Sequence, residues 1–178
     1  MVLLVWFSPV FAQKNTTYNE IEWVALIPQD DLNVLLNPPS FLDITDGSEQ
    51  DSLDALGDDW LADENVKRFK QAMQSTNVIR TYENKKIRIP GFVVPLISND
   101  ARKVTEFFAV PYFGACLHMP PPPPNQIIYA ASKNGIEVED LYEPFWFEGT
   151  LTIETNKNTL GTSAYRLTLD RVLPYEDE

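Results

Sequence analysis

Five consecutive prolines, Pro120, Pro121, Pro122, Pro123 and Pro124, restrict this chain more than any other feature. Proline fixes φ and carries no backbone donor, so such a run cannot be a helix or a ladder strand and takes the stiff polyproline II form. An apolar, strand-like segment, Val104 to Val110, leads into the run, and another, Ile127 to Ala131, leaves it. The same stretch, VPYFGACLHMPPPPPNQIIY from Val110 to Tyr129, holds the only cysteine, Cys116, and the only histidine, His118. Two scarce reactive side chains beside a rigid turn mark a candidate site.

Strand patterns surround this turn. Val78-Ile79 and Ile87-Ile89 flank Glu83-Asn84-Lys85 and predict a hairpin. Phe92 to Ile97 follows Pro90-Gly91 as a separate run, and Pro95 inside it implies an edge or a bulge. Phe145 to Ile153 and Tyr165 to Leu173 form a last pair, with Leu151 and Ile153 alternating with Thr152 and Glu154. Tyr165, Leu167 and Leu169 alternate with Arg166, Thr168 and Asp170 in the same way. This period of two belongs to half-buried antiparallel strands. The expected fold class is α+β, mainly β: a small antiparallel barrel resembling the oligonucleotide/oligosaccharide-binding (OB) fold, with a helical N-terminal arm and one packed helix.

The arm is expected over residues 18–76 and the barrel core over 77–178. Within the arm, Pro28 interrupts an apolar patch of Ile21, Val24 and Leu26. Asp30 or Asp31 is placed to cap a short helix carrying Leu32, Leu35 and Leu36, which Pro38-Pro39 stops. Trp23 is the residue expected to pack this arm across the main domain. From Asp43 to Glu64 there are nine acidic residues and no Lys or Arg, without the spacing of a calcium loop, so a solvated loop is expected. Val66, Phe69, Ala72 and Met73 then recur at helical spacing after Asp63 or Glu64, with Lys67, Arg68 and Lys70 further along.

Residues 1–12, MVLLVWFSPVFA, are apolar and too short to span a bilayer, as in a secretory signal, although no basic residue precedes Lys14. No later stretch is a membrane-span candidate, so the mature protein is expected to be soluble and periplasmic or secreted. The net charge of −12 argues against nucleic acid and against anionic membrane surfaces as partners. A single cysteine makes no internal disulfide, so 44% hydrophobic residues must supply the core by packing alone.

Residues two apart on a strand share a face, roughly 6 to 7 Å apart, so Cys116 and His118 are able to reach one ion or each other. Three chemistries follow. Zinc or copper accepts both ligands, with Met119 adjacent, but one Cys and one His need further donors such as Glu106 or Glu148, or a second subunit. Alternatively Cys116 is a nucleophile with His118 as base, an arrangement two residues on one strand seldom align. Last, the prolines are a non-catalytic docking face or a brace. A thiol buried among Phe107, Phe113 and Ile127 would favour that reading.

The run GACLHMPPPPPNQ, with IPGFVVPL at Ile89 to Leu96, IEWVALIP at Ile21 to Pro28, and Gly149 to Tyr175, resembles the exported bacterial proteins of domain-of-unknown-function family 3299. The resemblance implies a Gram-negative periplasmic or secreted protein whose relatives are often encoded near transporter components, including metal-uptake systems. It carries no established activity. Its motif maps here to Cys116, His118, Pro120 to Pro124, Asn125 and Gln126. The resulting expectation is an accessory periplasmic protein serving a transporter component, with a transition metal, zinc or copper, at Cys116 and His118. The alternative is a non-enzymatic structural or interaction module displaying the polyproline turn.

Overall fold

In a computed structural model of the chain, residues 17–39, 63–114 and 121–175 are described. Two long strands, β5 (Phe145–Asn158) and β6 (Gly161–Pro174), form an antiparallel hairpin with the alternation expected of them. β2 (Lys86–Ser98) pairs antiparallel with β3 (Val104–Val110), and β3 with β4 (Ile128–Ile136). β4 lies parallel to β6, from Ile128 opposite Tyr165 to Ala131 opposite Thr168. Antiparallel pairing of β5 with the first half of β2 closes the ring. The result is a closed five-stranded barrel, with a two-residue extra strand, β1 (Asn19–Glu20), parallel to β2.

The expected hairpin at Val78-Ile79 does not form. The Ile79 N–H donates to the Tyr165 hydroxyl at 2.6 Å and is therefore lost to any ladder. Arg80–Tyr82 make a 3-10 turn, and Asn84, at φ 59°, turns the chain into β2. The two runs expected on either side of Pro90-Gly91 are one 13-residue strand. β2 changes partner there: Lys86 to Gly91 pair with β5, and Phe92 to Ser98 pair with β3. A proline, which lacks the ladder donor, is tolerated where pairing is handed from one neighbour to the next. Pro95 precedes a register shift against β3, the bulge its ring implies.

Among the described residues, two α-helices accompany the barrel. α2 (Glu64–Met73) starts at Asp63, whose carboxylate accepts from the Asn65 N–H at 2.7 Å, and it buries Val66 and Ala72. α1 (Gln29–Leu35) begins after Pro28 with no side-chain cap. Its Asp31 instead accepts from the Ser75 hydroxyl at 2.5 Å, tying α1 to the end of α2. Leu32 and Leu35 are half-buried and Leu36 is exposed. The acidic run between residues 43 and 62 and the apolar residues 1–12 lie outside the described residues. No helix among the described residues is long and apolar enough to cross a membrane.

The barrel interior is filled by Ile87, Ile89, Phe107, Phe147, Leu151, Tyr165 and Leu167, each 0–1% exposed. Ile21, Trp23 and Leu26 belong to the same cluster, so the segment before α1 shares the barrel's core. A second cluster of Phe108, Val110, Ile127 and Tyr129 packs with Phe92, Val94 and Leu96.

Candidate functional site

Built from its residues, the proline turn is partly inserted into the protein. Pro121 is exposed, whereas Pro122 and Pro123 are buried. Pro123, at φ −62° and ψ 153°, has polyproline II geometry. The chain then closes into a 3-10 turn, Pro124–Gln126, with Pro124 at its first position, where a missing N–H costs nothing. The Gln126 N–H donates to the Pro123 carbonyl at 2.8 Å, satisfying an acceptor that the prolines alone leave open.

Two carboxamides anchor this turn. Asn125 is 0% and Gln126 7% exposed. The Gln126 amide donates to the Trp23 carbonyl at 2.7 Å and to the Asn125 carbonyl at 3.1 Å. The Asn125 amide donates to the Asn77 carbonyl at 3.2 Å and lies 3.4 Å from the Asp31 carboxylate. Trp23 continues the chain of bonds, its indole N–H donating to the Pro90 carbonyl at 2.6 Å, where β2 changes partner. A Cβ on Gly91 would stand 2.6 Å from the Val110 carbonyl oxygen and 3.1 Å from the Trp23 ring, so this crossing requires glycine. One turn thereby links the 23–31 segment, residue 77 and the barrel wall.

Upstream, the chain leaving β3 is held by an aromatic ring. Phe113 stacks on Tyr142 at 4.0 Å between centroids and meets Phe92 edge-on at 6.4 Å. Cys116, His118 and Pro120 lie outside the described residues. Both flanks of that segment are anchored: Phe113 before it, and Pro122 through Gln126 after it.

The carboxylates considered as further metal ligands have partners of their own. The Tyr129 hydroxyl donates to Glu106 at 2.8 Å, and burial, then this bond, raises the phenol's pKa. Glu148, only 3% exposed, accepts from the Arg171 Nε and lies 3.5 Å from the Arg88 Nε. That second distance makes an ion pair without an aligned hydrogen bond, since the Arg88 Nε has no hydrogen-bond partner. Arg88 also stacks 3.9 Å above the Trp146 ring. Among the described residues no three His, Cys, Asp or Glu side chains converge on a point suited to a metal ion. The Cys116 thiol, whose burial among Phe107, Phe113 and Ile127 would favour the structural reading, lies outside the described residues; Phe107 and Ile127 belong to different apolar clusters.

One groove borders the anchored turn and another lies against the helices. The first, about 270 Å³, has Met73, Pro121, Pro122, Pro124, Ile127 and Lys157 in its walls. The wider polar groove of about 910 Å³ lies between α1 and α2 and includes Asp31, Ser75 and Asn77. The buried Asn125 Oδ1 has no hydrogen-bond partner among the described residues. Sequence patterns did not reveal the burial of Asn125 and Gln126, because both residue types favour the surface.

The family model described as "Protein of unknown function (DUF3299)" matches residues 23–174. A DUF3299 family protein from Pseudomonas aeruginosa PAO1, with a crystal structure at 2.45 Å resolution, is 33% identical to this chain. The similarity covers 92% of this chain and 99% of that one, with a TM-score of 0.63. No curated protein matches the chain. A family match that spans every strand of the barrel and a solved relative aligned over 92% of this chain together place it: the chain belongs to the DUF3299 family.

Proposed function

We propose that this is an exported accessory protein of the bacterial envelope, serving a transporter and holding a transition metal, zinc or copper, at Cys116 and His118. One observation carries this reading: the segment bearing both side chains is flanked by anchored chain, above all by the buried Asn125 and Gln126. A ligand pair spanned between fixed ends loses less conformational entropy when an ion binds. Thiolate and imidazole suit zinc and copper. Export is supported by the apolar residues 1–12, and the transporter role by the family resemblance.

The barrel itself is proposed to be OB-like. In support, β2, β3 and β4 form a meander, β4 runs parallel to β6, and β5 closes onto β2. The metal reading is tested by titrating zinc and copper into the purified protein, Cys116→Ser and His118→Ala. Stoichiometric sub-micromolar binding that both substitutions abolish is expected, and a wild type that binds neither ion would sink the metal reading.

A second reading is a protein-interaction module in which the turn is a brace. The burial of Pro122 and Pro123 favours it, since buried rings pack the protein; of the described prolines in the run, Pro121 is exposed and Pro124 half-buried. The same titration separates the two: a brace predicts no metal binding by the wild type or either variant, with the substitutions altering only the melting temperature.

A further inference from the structure

Among the described residues, exposed large apolar side chains are scattered except at one place. Tyr142 is 69%, Leu141 40% and Tyr112 48% exposed, and they gather around the contact of Phe113 with Tyr142. Leu141 and Tyr142 belong to the turn between β4 and β5, and Tyr112 and Phe113 to the chain leaving β3. The Asp140 carboxylate accepts from the Tyr142 N–H at 2.8 Å, which fixes the turn that presents the ring. Phe113 supports the ring from one side, and at 69% exposure most of Tyr142 still faces water. Contiguous exposed aromatics of this kind are binding surfaces far more often than isolated ones.

Charge identifies what fits there. Glu139 and Glu143 are exposed on either side of Leu141-Tyr142, beside Asp140. From Val104 to Asn156 the sequence contains a single Lys or Arg, Lys133; the turn that carries Tyr142 brings Glu139, Asp140 and Glu143, and the Tyr112-Phe113 segment adds neither Lys nor Arg. An aromatic face ringed by carboxylates attracts a guanidinium or ammonium through the ring quadrupole and through direct charge pairing. We infer that the turn between β4 and β5, with Tyr112 and Phe113, is a docking surface for a basic, Arg- or Lys-bearing segment of a partner protein. A cation over Tyr142 is flanked by Glu139 and Glu143, while apolar residues of the same segment cover Leu141 and Tyr112. The chain's charge of −12 steers such a partner towards it, and the aromatic patch decides where it lands. The proposal uses neither Cys116 nor His118, and its test contains no metal.

The probe is a short synthetic peptide alternating Arg and Leu, with a Glu-Leu counterpart, followed by fluorescence anisotropy at physiological salt. The Arg-Leu peptide is expected to bind and its acidic counterpart not to. Tyr142→Ala should weaken binding about tenfold, while Tyr142→Phe, which keeps the ring face, stays close to wild type. Glu143→Gln should weaken it roughly threefold, and Asp100→Asn, which removes one charge at the turn between β2 and β3, should have no effect. Equal losses from Glu143→Gln and Asp100→Asn would overturn the proposal, because net charge alone would then explain the binding. Wild-type affinity in Tyr142→Ala, or no binding of the Arg-Leu peptide to the native protein, would overturn it equally.

Discussion

The Tyr165 hydroxyl donates to the Leu26 carbonyl at 3.0 Å and accepts from the Ile79 N–H at 2.6 Å. One fully buried phenol on the last strand thus satisfies two backbone groups from segments far apart in sequence. Tyr165→Phe keeps the ring and removes both bonds, leaving a buried carbonyl and a buried N–H unpaired. The expected cost is about 1–3 kcal/mol, read as a lower urea midpoint with an unchanged slope.

The same residue gives the protein an alkaline limit. Burial raises the Tyr165 pKa, the Ile79 N–H opposing it in part, so the folded state holds the phenolic proton more tightly than the unfolded chain does. Its contribution is complete below the unfolded value of about 10 and is lost as pH rises through the folded value. Tyr129 acts in the same direction, for burial and its bond to Glu106 raise its pKa too. Urea unfolding followed across this range should show wild-type stability falling with pH. Tyr165→Phe should fall less steeply, and parallel curves would remove Tyr165 from the explanation.

Gln126 is needed as a donor. Gln126→Ala frees the Trp23 carbonyl and should destabilise by about 1–3 kcal/mol. Gln126→Glu keeps the shape but replaces the donating amide with a carboxylate facing that carbonyl, so it should be worse than alanine at neutral pH. Acidification through the introduced carboxyl's pKa should recover part of the loss, because a protonated carboxyl donates again. Thermal melts of the three proteins at two pH values check the order. A glutamate variant as stable as alanine at neutral pH would mean that the amide's bond contributes little.

What the sequence revealed follows from which forces are local. The alternation in β5 and β6 and the helical spacing of Val66, Phe69, Ala72 and Met73 each repeat within a few residues, and those elements form as expected. Asp63 caps α2 because its carboxylate needs only a neighbour two residues on. By contrast, Pro90-Gly91 looks like a break until β5 and β3 are present to share β2, and nothing near Pro90 encodes either strand. Asp31 looked like a cap and became a tie to Ser75, 44 residues away. The prolines stand out as a motif, but the turn that ends them is held by bonds of Gln126 to Trp23 and Asn125 to Asn77, residues that meet only in the folded chain.

The parallel pairing of β4 with β6 has a consequence for the order of assembly. β2, β3 and β4 are joined by hairpin-like contacts and are able to associate early, whereas the β4 edge at Ile128 to Ala131 waits for Tyr165 to Thr168 of the last strand. Until then the ring has an unsealed seam, and closing it bridges a long stretch of chain, the kind of contact that slows folding. The newly made chain therefore spends its youth as an open sheet, and becomes a barrel only when its final strand is in hand.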